Sequence, residues 1–160
     1  MIIFENSFLK VNKMDVENIK FRHEMPVQLR FSDVDQFGHV NNSVYFSLFD
    51  MCKTKYIFDA LGQDSFQNIG VVVAHINADF IAPIFYQDEV VIQTAVQHIG
   101  NKSFTLYQRV INTKTQELKC VCQTVLVTYD LKNNKSIEIE PAFKVRFAEF
   151  DQNPDLLKID

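Results

Sequence analysis

Behind Pro26 the residues Val27, Leu29 and Phe31 alternate with Gln28 and Arg30, the period-two pattern of a short, half-buried strand. Ser32-Asp-Val-Asp-Gln-Phe-Gly38 breaks the alternation, and Gly38 supplies any positive φ that a turn there requires. From Ser43 the period changes. Tyr45, Leu48, Phe49, Cys52 and Tyr56 recur at helical spacing, while Ser43, Ser47, Asp50 and Thr54 mark a more polar side. Phe46, Met51, Ile57 and Phe58 widen the apolar surface, which predicts a largely buried helix. Asn41 or Asn42 is its natural N-cap, and Leu61-Gly62 its end.

After a loop over 63–70, almost everything reads as strand. Val72, Ala74, Ile76, Ala78 and Phe80 share one face of a long run, with His75, Asn77 and Asp79 on the other, and Pro83 stops it. Glu89 to Ile99, Ser103 to Asn112 and Leu118 to Tyr129 are three further β-rich runs. They are separated by Gly100-Asn-Lys and by Thr113-Lys-Thr-Gln. These hairpin-length links predict antiparallel neighbours. Pro141 to Phe150 has helical spacing through Phe143, Phe147 and Phe150. Residues 1–25 show no sustained period and read as an N-terminal extension, 26–150 as one domain, and 151–160 as a frayed tail. The order of strand, long helix and four long strands predicts an α+β fold, with one sheet covering a single long helix.

Composition adds limits rather than chemistry. At 160 residues and 47% hydrophobic, the chain can bury a core without metals or disulfides. A formal net charge of -4 offers no basic face for nucleic acid. Three cysteines do not make a disulfide framework, and Cys120 and Cys122, two apart, read as small buried hydrophobes. No stretch approaches the ~18 apolar residues of a membrane span. Charge interrupts the first residues too early for a secretory signal, so the expected compartment is cytoplasmic.

The candidate chemistry lies between the first strand and the helix, where unpaired backbone N–H groups of a helix N-terminus converge. Asp33 and Asp35, Gly38, His39, Asn41 and Asn42 stand there together. From the residues alone, the two aspartates read as readily as a solvated strand end. His39 reads equally as a loop-packing histidine, Asn41 and Asn42 as caps, and Tyr45 as core. His75, Asn77 and Asp79 have a weak metal-like spacing but lack the further imidazole or thiolate ligands a first-row metal site needs, so no metal is expected.

The string Asp33-Val-Asp35-Gln-Phe-Gly38-His39-Val40-Asn41-Asn42, with Tyr45 three residues on, resembles the signature of the hotdog-fold acyl-CoA thioesterases of the 4-hydroxybenzoyl-CoA thioesterase-like group. The likeness runs on through Ala78-Asp-Phe-Ile-Ala-Pro83, Asp88-Glu-Val-Val-Ile92 and His98-Ile-Gly-Asn-Lys-Ser-Phe104. It implies a five-stranded antiparallel sheet wrapped around the helix, a homodimer or dimer of dimers, and hydrolysis of an acyl-CoA or acyl-carrier-protein thioester at the subunit interface without a cofactor. By position, Asp35 matches the family's catalytic carboxylate, and His39 stands beside it in support. Gly38, Val40, Asn41 and Asn42 match the loop whose amides polarise the thioester carbonyl. Tyr45 is carried over as a substrate contact, and Lys102 and Ser103 fall in a turn the family places near coenzyme A. Two departures stand out. Phe37 occupies the place where plant acyl-carrier-protein thioesterases carry a catalytic asparagine, and Gln87 replaces a usual glycine.

A carboxylate can attack a thioester or take a proton from water, and backbone N–H groups stabilise the resulting oxyanion. A hotdog hydratase and a non-catalytic acyl-binding module are the alternative readings. The run Val71 to Ile81 is the expected exposed edge through which two copies would pair.

Overall fold

The computed structural model describes residues 19–63 and 69–158. Most of the expected N-terminal extension and of the 63–70 loop lies outside them. Strands β1 (His23–Val27), β2 (Ile69–Phe80), β3 (Val90–Ile99), β4 (Ser103–Asn112) and β5 (Leu118–Asp130) form one sheet in the order β1-β3-β4-β5-β2, every pairing antiparallel. A two-residue β6 (Lys135–Ser136) adds to the end of β5, so the expected five strands gain a short sixth. Helix α1 (Asn42–Leu61) lies against one face, and α2 (Pro141–Phe150) closes one end of the core.

Helix α1 forms where expected. Asn41 is the N-cap, its side chain accepting the Ser43 N–H at 2.9 Å, and Gly62 ends the helix with φ of 81°. Tyr45, Phe49, Cys52, Tyr56 and Leu61, at spacings of three to five, turn to the sheet and are buried. Gln108 of β4 ties helix to sheet by donating from Nε2 to the Phe49 carbonyl (3.1 Å) and to Thr94 Oγ1 (3.2 Å). Phe46, Met51 and Phe58 remain exposed, so the helix is less enclosed in the single chain than its sequence predicts.

Three expectations are corrected. The first strand is His23–Val27 rather than Val27–Phe31, because Val27 pairs with Val90 at the very start of β3 and, among the described residues, no strand continues beyond it for Leu29 and Phe31 to pair with. Pro26 is tolerated within β1 because that strand is an edge. In β2 the register slips between Val73 and His75. Val71 therefore packs towards the core, and the face expected to run Val72-Ala74-Ile76 switches at the bulge.

The tail is not frayed either. Leu156, in a 3-10 helix over Pro154–Leu157, is buried in the same cluster as Tyr56 and Phe147. Buried Asp151 accepts from Tyr56 Oη and from the Val96 N–H, both at 2.8 Å and both on Oδ2. These bonds hold the end of α2 against α1 and β3.

Candidate active site

The Phe31–Asn42 stretch is a compact clasp rather than a continuing strand. After β1 a 3-10 turn over Phe31–Asp33 buries the Asp33 carboxylate, which accepts from the Arg30 N–H (2.8 Å), Nε (3.1 Å) and Nη2 (2.9 Å). Burial alone would raise the pKa of Asp33. The Arg30 hydrogen bonds and charge outweigh it and hold the carboxyl below its usual value. The chain then doubles back. Asp35 N–H donates to the His39 carbonyl (3.0 Å), Gly38 N–H to the Asp35 carbonyl (3.0 Å) and Asn41 N–H to the Asp33 carbonyl (2.9 Å). Gly38 takes φ of 84°, the left-handed conformation that favours glycine, which closes the turn.

A second anchor comes from the crossover 81–89, which leaves edge strand β2 and runs along the sheet end to β3. Val40 N–H donates to the Ile84 carbonyl at 2.8 Å, and the Val40 side chain, 1% exposed, packs in the core. Tyr45 is also buried, its ring edge-on to Phe80 at 5.1 Å. Burial, with nearby Cys120 and Asp88 charge, pushes its hydroxyl up to about 12, so it is neutral at ordinary pH.

Asp35 itself is partly open. Oδ1 accepts the Phe37 N–H at 2.8 Å, which fixes the carboxylate plane, and Oδ2 faces His39 Nδ1 at 4.0 Å. Within Gly38–Asn42, the amides of Gly38, Val40 and Asn41 are already given to loop carbonyls, while Asn41 serves as the cap. Among the described residues, the amides of His39 and Asn42 have no partner. The Asn42 N–H is the first of α1, at the positive end of its dipole. An open carboxylate oxygen and a free helix-terminal amide thus stand on one short loop.

Four aromatic residues rim this loop. Phe31 and Phe37 are 83% and 73% exposed; Phe37 stacks on His39 (6.3 Å) and Phe31 meets Tyr86 edge-on (6.0 Å). Phe85 is also exposed. Lys102 and Ser103 lie elsewhere, at the start of β4, while the Asp35 loop borders the end where β3 begins. A ten-residue strand separates those ends, roughly 30 Å. Two residues escaped the sequence reading: Ile84, whose carbonyl anchors the loop, and Lys119, whose buried ammonium donates to the Pro83 carbonyl at 2.9 Å. A lysine set beside the apolar run Cys120-Val-Cys122 was the available signal.

Cavities of about 520 Å3 and about 380 Å3 open elsewhere. The larger lies between the β3–β4 turn, α2 and the 3-10 helix at Pro154–Leu157, at the far end from Asp35. The smaller follows the open side of α1 past Asp50, Thr54 and Phe58 to Val71 of β2. Among the described residues, no group of three or more His, Cys, Asp or Glu is placed to hold a metal ion, and no helix is long and apolar enough to cross a membrane.

The family model of the thioesterase-like superfamily matches residues 29–147. The chain is 28% identical over 129 residues to the long-chain acyl-CoA thioesterase FadM of Escherichia coli, covering 77% of this chain and 95% of that protein. A Thermus thermophilus thioesterase, solved with coenzyme A and zinc, superposes with a TM-score of 0.72 at 26% identity, over 84% of this chain and 98% of that one. The probable thioesterase YbaW of Escherichia coli superposes at 0.69 with 25% identity, over 79% and 97%.

Proposed function

The chain belongs to the thioesterase-like superfamily and is a thioester hydrolase, and from that premise we propose that it cleaves acyl-CoA thioesters with Asp35 as the reacting carboxylate. The observation that carries this reading is the pairing of Asp35, held by one oxygen and open at the other, with the unpartnered Asn42 amide. A thioester carbonyl seated at the α1 N-terminus would take the Asn42 N–H on its oxygen. Asp35 Oδ2 would attack the carbonyl carbon, or remove a proton from an attacking water, as negative charge builds on that oxygen. His39, at 4.0 Å, supports the carboxylate and the incoming water.

Collapse of the intermediate breaks the C–S bond. The thiolate leaves with little help, since a thiol of pKa ~8.5 is a good leaving group. Water supplies one hydroxyl to the acid and one proton to the thiol. The route calls for no cofactor. Of the loop amides considered from sequence, Asn42 and His39 are the free ones; Gly38 and Val40 shape the loop that presents them.

The site is incomplete in one chain, and we place its other half on a second copy. Strand β2 ends the sheet, and Val72, Val73, Ile76, Phe80 and Ile81 are exposed along that edge. Antiparallel pairing of two β2 edges brings the Ile69 end of one copy beside the Phe80 end of the other. Lys102 and Ser103 of the second copy, two strands in from its β2 and so roughly 10 Å away, then stand near the Asp35 loop. There they can meet coenzyme A phosphates. The acyl group would lie along the open side of α1, from Phe46 and Phe80 towards the cavity beside Thr54 and Phe58.

A panel of short, medium and long acyl-CoA, aroyl-CoA and acyl-carrier thioesters, assayed with a thiol-trapping reagent, tests the substrate class. Release of free thiol from acyl-CoA is the expected result. Tight acyl-CoA binding with no release would mark a binding module instead, and hydration of enoyl-CoA a hydratase.

A further inference from the structure

Lys119, the second residue of β5, is a buried cation, its side chain 5% exposed, and the thioesterase reading leaves it without a role. Its surroundings are specific. The ammonium donates to the Pro83 carbonyl at 2.9 Å, faces Asp88 Oδ2 at 3.6 Å and pairs with Glu117. Its own backbone carbonyl accepts the N–H groups of Ile81 (2.9 Å) and Ala82 (3.0 Å). Asp88 Oδ2 in turn accepts the Phe85 N–H at 2.9 Å. Lys119 therefore grips the crossover at both ends, over 81–83 and at 88.

The residue between those grips, Ile84, accepts the Val40 N–H, and Phe85 is bridged to His39. Val40 lies between His39 and Asn41, in the segment that sets the His39 imidazole and the Asn42 amide. The sequence of contacts is continuous: Lys119, crossover, Ile84, Val40, site loop.

We propose that Lys119 is a positioning residue, which fixes the crossover as the rigid wall against which the Asp35–Asn42 loop is registered. The proposal rests on the reading of that loop as the reacting site. A buried ammonium that donates to the Pro83 carbonyl and to Glu117 and faces Asp88 cannot be removed silently, because the Pro83 carbonyl loses its donor and Asp88 its facing charge. The crossover then relaxes, and a shift of about 1 Å in a reacting group can cost up to about 100-fold in rate.

The test compares Lys119→Met, Lys119→Arg, Asp88→Asn and Glu117→Gln in steady-state acyl-CoA hydrolysis and in NMR of the histidine imidazoles, with the His39 signal assigned by His39→Gln. Lys119→Met is expected to lower kcat by about 10- to 100-fold with KM within about two-fold. It should also move the His39 resonance. Lys119→Arg, which keeps the charge, should recover much of the rate. Asp88→Asn keeps an acceptor for Phe85 and removes only the facing charge, so it should repeat the Lys119→Met effect more weakly; it carries the test if Lys119→Met does not fold. Glu117→Gln changes the partner on the solvent side and should leave kcat and the His39 signal unchanged.

The proposal is overturned if folded Lys119→Met, or Asp88→Asn in its place, keeps both the wild-type kcat and the wild-type His39 resonance. It is equally overturned if lost rate is accompanied by an unmoved His39 signal. Failure of the site reading shows separately, as an Asp35→Asn variant that hydrolyses as fast as wild type.

Discussion

Asp33 and Asp35 are two residues apart in the chain, yet their surroundings give them opposite work. Asp33 is buried with three donors from Arg30 and serves as a structural pin. Asp35 spends one oxygen on the Phe37 amide and keeps the other open. The aspartate pair and glycine were legible as a polar cluster. Which carboxylate stays free depends on the 3-10 turn that follows β1, and no local propensity announces that turn. The place of Asp151, at the head of the stretch expected to fray, was hidden because its role needs Tyr56, ninety-five positions away. Burial pushes Asp151 up to about 6, with the Val96 N–H and Tyr56 hydroxyl pulling the other way. The folded protein therefore binds this proton more tightly than the unfolded chain, whose reference value is 3.8. Stability contributed by the neutral form is present below about pH 4 and is lost as pH rises to about 6, by a total on the order of 3 kcal/mol. In urea unfolding across that range, Asp151→Asn should lack this loss and be at least as stable as wild type near pH 7. An unchanged difference between the two proteins at all pH values would contradict the assignment.

At the level of elements, the N-terminus of α1 joins fold and chemistry. Asn41 caps the helix through Ser43, and the next amide, Asn42, is the one proposed to meet the oxyanion. Asn41→Ala should therefore cost about 1 kcal/mol in thermal or urea unfolding. It should also lower kcat through fraying of the first turn, and a loss of stability with kcat intact would uncouple the two. The helix and the three later strands were legible because their periods are long and sharply punctuated by Gly62, Gly100 and the Thr113–Gln116 turn. Strand β1 was not, since Val27-Leu29-Phe31 alternates perfectly well but lacks a partner beyond Val90. The bulge in β2 was equally hidden, because alternation through Ala74 looks unbroken in one dimension.

On the scale of the whole molecule, β2 and the open side of α1 form one apolar surface, joined where Tyr45 and Phe46 meet Phe80 edge-on. Of the substrate contacts expected from sequence, Gly38, Val40, Asn41, Asn42 and Tyr45 lie near one end of it, while Lys102 and Ser103 stand at the other end of the sheet. The two-fold pairing through β2 proposed above would reunite them. Ile76→Arg, at an exposed point on that edge, should shift the protein from dimer to monomer in sedimentation velocity and abolish hydrolysis while the chain stays folded. A monomeric variant with full activity would remove the need for a second copy.

The decisive measurement is kcat of Asp35→Asn against wild type at saturating acyl-CoA. The substitution keeps size and the acceptor for the Phe37 amide but removes the charge. The predicted result is a fall in kcat of about 10²- to 10⁴-fold with KM little changed. A kcat within about three-fold of wild type would contradict the mechanism.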